Sequence, residues 1–332
     1  MTNLSMARVN YDEMPALEGY VDHTFYQTIE WINFVSTTQK AEPVFAVIKD
    51  GTRLVGRFSG LIFQRFGIRI LGSPFPGWTT SYMGFNLDST IDRKDALQAL
   101  EIFAFNDLNC AHVEIMDRRL GIEEVAQLGY RYKVYSGFEI DLTKSKDELF
   151  STMDSACRRC IRKAEKQEVM VEETKDLSFA DNYYAQLQDV FAKQNLIPTY
   201  PKERVQALIE NLLPTGQLLL VRARNREGVC IATGIFPAMN DTMFFWGGAS
   251  YRSYQILRPN EAIQWYAMQY WKDKGIIKYD MGGGGEYKRK YGGYEISIPW
   301  IRISKYQWLD FARNFSYKIF NIKQNVLGLL KH

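Results

Sequence analysis

The chain has 332 residues, 46% hydrophobic and 24% charged, with 41 Lys and Arg against 38 Asp and Glu. This length fits two domains better than one, and the composition builds real cores and excludes disorder. A net charge of +3 gives no footing for DNA binding, four cysteines make no disulfide framework, and no apolar run is long enough to span a membrane.

In chain order, Phe25 to Val35 reads as a helix, and Val44 to Ile48 with Leu54 to Phe63 as strands around an Asp50-Gly51 turn. Ile68 to Leu71 is a short strand. Gly72 to Gly84, rich in Gly and Pro, is a loop. Asp92 to Asn106 is a helix that Asp92 can cap. His112 to Met116, Ile122 to Leu128 and Lys133 to Leu142 follow as strand, helix and strand. One long helix is expected from Lys146 to Gln167, because Leu149, Met153, Cys157, Cys160, Ile161 and Ala164 recur at three- and four-residue steps. Val169 to Glu172 is a strand, Phe179 to Lys193 and Lys202 to Leu212 are helices. Gln217 to Arg224, Val229 to Met239 and Thr242 to Gly248 are strands. Asn260 to Asp273 is a helix, Ile276 to Asp280 and Ile296 to Ile303 are strands, and Trp308 to Leu330 closes the chain as a mildly basic helix, a candidate for peripheral membrane contact.

The sequence repeats itself. Tyr135-Ser136-Gly137-Phe138-Glu139-Ile140 returns as Tyr291-Gly292-Gly293-Tyr294-Glu295-Ile296, and Ala96-Leu97-Gln98 as Ala262-Ile263-Gln264. Glu114 and Asp280 each stand 18 residues after those alanines, and Val47 and Gly60 match Val221 and Gly234 without a gap. Three matched blocks in one order point to a duplicated unit of roughly 150 residues, one domain's length. The expected boundaries are 1–143 and 144–332. Each copy reads as a mixed sheet flanked by helices, an α/β (α+β) architecture. No GxGxxG or GxxxxGK[ST] opens a helix after a strand, which excludes dinucleotide and P-loop readings. His23, His112 and His332 lie far apart, so no metal site is expected. Cys157 and Cys160 fall on the apolar stripe of their helix and read as core, not as a redox pair. The N-terminus shows no apolar leader segment, and a cytoplasmic protein is expected.

Only the second copy carries Asp280-Met281-Gly282-Gly283-Gly284-Gly285-Glu286-Tyr287-Lys288-Arg289-Lys290-Tyr291-Gly292-Gly293. Consecutive glycines permit positive φ and close backbone approach to a ligand, and the lysines and arginine offer charge to a phosphate or an oxyanion. The plain alternative is a solvated loop with charges at its rim. Attack of an amine on an activated acyl carbon needs a base, positioning and oxyanion donors, but no enzyme nucleophile. Asp280 is the first candidate for proton handling, with Glu286 and Glu261 behind it. Lys288 is the candidate for charge stabilisation, and Tyr287 or Tyr291 for protonating a leaving group. In the first copy, Trp78, Thr79, Ser81 and Tyr82 offer stacking faces and hydroxyls. Arg252, Arg258 and Asn260 precede a helix whose N-terminus suits a pyrophosphate, with Gly283 and Gly284 as further backbone contacts. Arg158, Arg159, Arg162, Lys163 and Lys166 make a basic helix face, either solvated or turned to phosphates.

The element order and these motifs resemble the GNAT acyltransferase superfamily. Within it they are similar to the tandem Fem-type aminoacyltransferases that build peptidoglycan cross-bridges, and to related domains of exopolysaccharide and envelope biosynthesis. The likeness is carried by Lys274-Gly275, Tyr279-Asp280-Met281-Gly282-Gly283, Tyr287-Lys288-Arg289-Lys290-Tyr291-Gly292, the basic run Cys157 to Lys166, and Phe25-Tyr26-Gln27 with Trp31. It implies two tandem GNAT-like domains and transfer of an activated acyl group, from an acyl-CoA or an aminoacyl-tRNA, to an amine on a small-molecule or lipid-linked envelope or polysaccharide precursor. It also implies that the Gly72 to Gly84 loop lines an acceptor pocket. Two departures stand out. No heptad-rich helical arm is present, which argues against tRNA. The stretch Tyr251 to Asn260 has no glycine where CoA-dependent members have a glycine loop, which argues for weak CoA binding and keeps a non-catalytic glycan or nucleotide-sugar binding module as the rival reading.

Overall fold

The computed structural model describes residues 4–65, 67–75, 77–193, 195–306 and 308–309. These divide into two units, residues 4–136 with 297–309, and residues 137–296. Along the chain come β1 (Leu4–Val9), α1 (Ile29–Gln39), β2 (Glu42–Asp50), β3 (Arg53–Arg65), β4 (Ile68–Ser73), β5 (Phe85–Leu87), α2 (Arg93–Ile102), β6 (His112–Met116), α3 (Ile122–Gln127) and β7 (Arg131–Asp141). Then follow α4 (Lys146–Thr152), α5 (Ser155–Lys166), β8 (Met170–Thr174), α6 (Phe179–Ala192), α7 (Lys202–Leu212), β9 (Leu218–Arg224), β10 (Cys230–Met239), β11 (Thr242–Phe244), β12 (Gly247–Ser250), α8 (Pro259–Asp273), β13 (Lys278–Gly283) and β14 (Tyr294–Ser304). Most of the expected closing helix lies outside the described residues.

The first unit orders its strands β1-β2-β3-β4-β6-β14, with β5 on β3. The second orders them β8-β9-β10-β11-β13-β7, with β12 on β10. Strand for strand these are one topology. Within each, the pair β4–β6 or β11–β13 is parallel and the other neighbours are antiparallel. Duplication is therefore visible in the fold as well as in the motifs. The last strand of each unit, however, comes from the far end of the other repeat: β14 completes the first, and β7 the second.

The gapless match of Val47 and Gly60 with Val221 and Gly234 does not survive in the register. Gly234 faces Val221, whereas Gly60 faces Val44. The hairpins explain the slip, since Gly51 and Thr52 alone join β2 to β3, while Asn225 to Val229 join β9 to β10. The three added residues in the second hairpin displace one strand against the other.

The expected helix from Lys146 to Gln167 is two helices. Ser145 and Glu148 form a capping box that starts α4. Met153 and Asp154 are then extended, and Asp154 caps α5 by accepting from the Cys157 amide at 2.5 Å. The apolar stripe continues across the break because both helices bury one face in the same core. Leu149, Met153, Cys157 and Ile161 pack there with β9, β10 and α8. The first unit has its own core, with Val44, Phe58, Leu97, Val113 and Ile301 among its members.

The expected strand from Thr242 to Gly248 is also broken. β11 runs beside β13 as far as Phe244 opposite Asp280, and the Phe245 amide still donates to the Asp280 carbonyl at 2.9 Å. The chain then turns away, and β12 pairs with β10. The parallel pairing therefore ends at Asp280, where the sheet splits.

Candidate functional site

Asp280 stands at this split. Its side chain is 2% exposed and its Oδ1 accepts from the Gly282 amide at 2.7 Å. The strand alternates there, with Tyr279 and Met281 in the hydrophobic core and Asp280 on the opposite face. Between Asp280 and Gly283 the register against β7 shifts by a bulge, which redirects the strand into the glycine-rich segment. Gly282, Gly284 and Gly285 all have positive φ, so three of the four glycines in the run are favoured by backbone geometry.

Lys288 is the central cation. It is 5% exposed, and its ammonium donates to the Met281 carbonyl at 2.6 Å and the Gly283 carbonyl at 2.8 Å. Burial pulls its pKa down to about 8, with the Asp280 carboxylate opposing the fall. The lysine therefore clasps the loop that begins at Asp280. Its expected role as a surface charge free to meet substrate is corrected in one respect: the charge is buried and engaged by the backbone.

The remaining predicted residues separate by environment. Tyr291 is buried, and burial followed by the Glu261 carboxylate pushes its phenol well above the ordinary range. Glu261 at the start of α8 is paired with Lys290 at 2.7 Å. Glu286 is exposed and paired with Arg289 at 3.2 Å. Tyr287 is exposed, and its ring lies where a Cβ at Gly285 would sit, 2.5 Å away. Arg252 and Arg258 are exposed on the segment leading into α8, as is Asn260; the Arg252 amide donates to Asp189 at 2.8 Å. Arg258 occupies the N-cap of α8 with φ 63°, and no side chain caps the helix. Asp280, Lys288, Tyr287, Tyr291, Glu286, Gly283 and Gly284 thus share one segment of the second unit.

Trp78, Thr79, Ser81 and Tyr82 belong to the first unit. Trp78 packs on Phe75 and Phe63, Ser81 bonds Tyr26 at 3.2 Å, and Tyr82 is buried with its ring edge-on to Tyr26. The expectation that Tyr82 offers a free stacking face is corrected, since the residue is buried and the Arg118 guanidinium lies over its ring, 5.8 Å from the centroid. Thr79, with φ 56°, turns its hydroxyl onto the Trp78 carbonyl.

Two residues went unselected by sequence reasoning. Glu139 on β7 is 1% exposed and directly opposite Asp280 in register. The Tyr294 hydroxyl, at the end of the glycine-rich segment, donates to Glu139. The sequence signal was the repeated Tyr-x-Gly-aromatic-Glu-Ile motif. It presented Glu139 and Glu295 as equivalents, but Glu295 is half exposed and paired with Arg289. All four cysteines are free, and burial pushes the Cys157 thiol up to about 12, as suits a core residue. Among the described residues no cluster of side chains could hold a metal ion, and no helix is long and apolar enough to cross a membrane.

Together the two units define a tandem GNAT-like fold with mixed sheets flanked by helices. Residues 152–291, within the second unit, match the model of the acetyltransferase (GNAT) domain family. Among solved structures, FemX superposes with a TM-score of 0.70 at 13% identity, over 90% of this chain and 97% of its own. A conserved protein of unknown function from Bacteroides thetaiotaomicron gives 0.60 at 14% identity, over 90% and 99%. A C-terminal domain assigned to a lysylphosphatidylglycerol synthetase from Agrobacterium fabrum gives 0.53 at 10% identity, over 79% and 85%. No curated protein matches the sequence.

Proposed function

We propose that the protein is an N-acyltransferase or aminoacyltransferase that moves an activated acyl group onto an amine of a cell-envelope or polysaccharide precursor. The observation that carries this reading is the buried Asp280 at the split of a GNAT-domain sheet, followed by a loop clasped by Lys288. A buried acid and a buried cation side by side are costly to fold and concentrate at functional sites. The Lys288 cation stabilises charge at the reacting centre, directly or by holding the loop amides toward it. The structural neighbours support the acceptor class: one is FemX, and another is assigned to a synthetase named for an aminoacylated phospholipid. The donor is an acyl-CoA or an aminoacyl-tRNA. The glycine-free lead into α8, with Arg258 at its N-cap, favours weak CoA affinity.

One observation favours the rival reading of a non-catalytic binding module for a glycan or nucleotide sugar. The Lys288 ammonium is already spent on two backbone carbonyls. The experiment presents acetyl-CoA or alanyl-tRNA as donor, with a lysine-containing pentapeptide or glucosamine as acceptor, and reads new amide products by mass spectrometry. Calorimetry with acetyl-CoA runs alongside. The expected result is amide formation with at least one pair and CoA affinity weaker than micromolar. Sub-micromolar CoA binding would move the protein to the simple CoA-dependent class, and absence of product with every pair would favour the binding module.

A further inference from the structure

Glu139 joins both ends of the glycine-rich segment. Asp280, which opens the segment, faces it across the β7–β13 ladder, and Tyr294, which closes it, bonds its carboxylate. Directly opposed residues of an antiparallel pair project to the same face, so two buried carboxyl groups stand side by side. Like charges in that relation are destabilising, and burial adds a desolvation cost. The first unit shows how the same fold avoids it: Glu114, at the position of Asp280, faces Arg302. Acid against acid occurs in the unit that also holds the GNAT match and the glycine-rich segment.

Exposure then gives the arrangement a direction. Glu139 is 1% exposed and Tyr294 is 51% exposed. The phenol therefore presents a surface face to a ligand while its hydroxyl is anchored on an interior acid. Gly293 allows this approach, since a Cβ there would lie 3.2 Å from the Glu139 carbonyl.

We infer that Tyr294, backed by Glu139, is the group that takes the proton from the acceptor amine. This rests on the acyl-transfer reading above. The amine nitrogen attacks the acyl carbon and forms the C–N bond. The proton leaving nitrogen passes to the Tyr294 oxygen as the phenol proton moves to Glu139. The bond from the acyl carbon to the donor's sulfur or oxygen breaks, and its electron pair leaves with that atom, which takes a proton from solvent. Glu139 returns its proton through Tyr294 to solvent, and no further reactant is needed. Tyr294 is then the catalytic residue and Glu139 a positioning and proton-storing one.

Two measurements test this. The first is carbon NMR of ring-labelled tyrosine through an alkaline titration, with Tyr294 assigned by the signal missing in Tyr294→Phe. A carboxylate acceptor favours the neutral phenol, so Glu139→Gln should lower the Tyr294 midpoint by about one pH unit. An unchanged midpoint overturns the pairing. The second is transfer from alanyl-tRNA or acetyl-CoA to the lysine-containing pentapeptide. Tyr294→Phe should lower kcat by about 10² or more with KM unchanged. Glu139→Gln should also lower kcat with KM unchanged. Tyr294 is half exposed and keeps its ring in the variant, so folding is not at issue. Full activity in Tyr294→Phe sinks the relay while leaving acyl transfer standing. A wild-type protein that transfers nothing, yet shows the midpoint shift, sinks the acyl-transfer reading and with it the relay, while the Tyr294–Glu139 pairing stands.

Discussion

Lys288 stands in an environment that its sequence neighbours do not announce. Sequence puts it in a glycine-rich, basic loop, where a solvated rim charge is the ordinary expectation, and Lys288→Ala would then leave stability nearly untouched. Instead it is 5% exposed and satisfies two carbonyls. Lys288→Ala should therefore cost about 1–3 kcal/mol in denaturant unfolding, because the carbonyls lose their donor, and should lower turnover by about 10² or more. Loss of stability with full turnover would make the lysine purely structural. Arg289→Ala, at an exposed side chain, is the better control than Lys290→Ala, because Lys290 neutralises the nearly buried Glu261. The pH dependence has a definite sign. The folded pKa, about 8, lies below the ordinary value of 10.5, so the unfolded chain binds more protons between them. Stability should gain from this group as pH rises through that window and lose the gain as pH falls to about 8. Lys288→Met should flatten that part of the stability–pH curve relative to the native protein; equal slopes would contradict the burial cost. Asp280 and Lys288 were legible because carboxylate, glycines and lysine are adjacent in sequence. Glu139 was not, since only pairing of β7 with β13 brings it to them.

Helices and strands were legible where one local signal dominates. Lys202–Leu212 and His112–Met116 have the expected bounds, and Asp92 caps α2 through the Lys94 amide. β1 and β5 were not anticipated, because six- and three-residue strands carry little periodicity. The break before α5 was missed because an apolar stripe and a cap give opposite instructions at Asp154, and the stripe is the longer signal. The turn that ends the glycine-rich segment supports a sharper prediction. Gly292 has φ 83°, and a Cβ there would meet Thr152 Oγ1 at 2.7 Å and the Thr152 carbonyl oxygen at 3.0 Å. Gly284 has φ 72° but open space around the added carbon. Both alanine substitutions carry backbone strain on the order of 1 kcal/mol, and Gly292→Ala adds a clash with backbone. Unfolding midpoints should fall further for Gly292→Ala than for Gly284→Ala. The reverse order would mean that the loop adapts more freely than its contacts imply.

At the scale of the whole molecule, the repeat in the sequence foretold two copies of one topology, and the strand orders match. It did not foretell that each copy's last strand completes the other unit, because a motif records ancestry and carries no record of its partner strand. A fragment of residues 1–143 contains β6 but not β14, so β6 would present an unpaired edge. That fragment should be insoluble or fail to unfold cooperatively, and should recover on adding residues 297–309 through a linker. A soluble, cooperatively folding fragment would show that β14 is dispensable. The late arrival of β14 also bears on synthesis. At roughly 5–20 residues per second, the ribosome needs on the order of ten seconds or more to travel from β6 to β14. Throughout that interval the nascent first unit has an open flank, and only when β14 has emerged can it close. For such a chain the order of manufacture and the order of folding run in opposite directions, and the cell must guard the earliest-made half the longest.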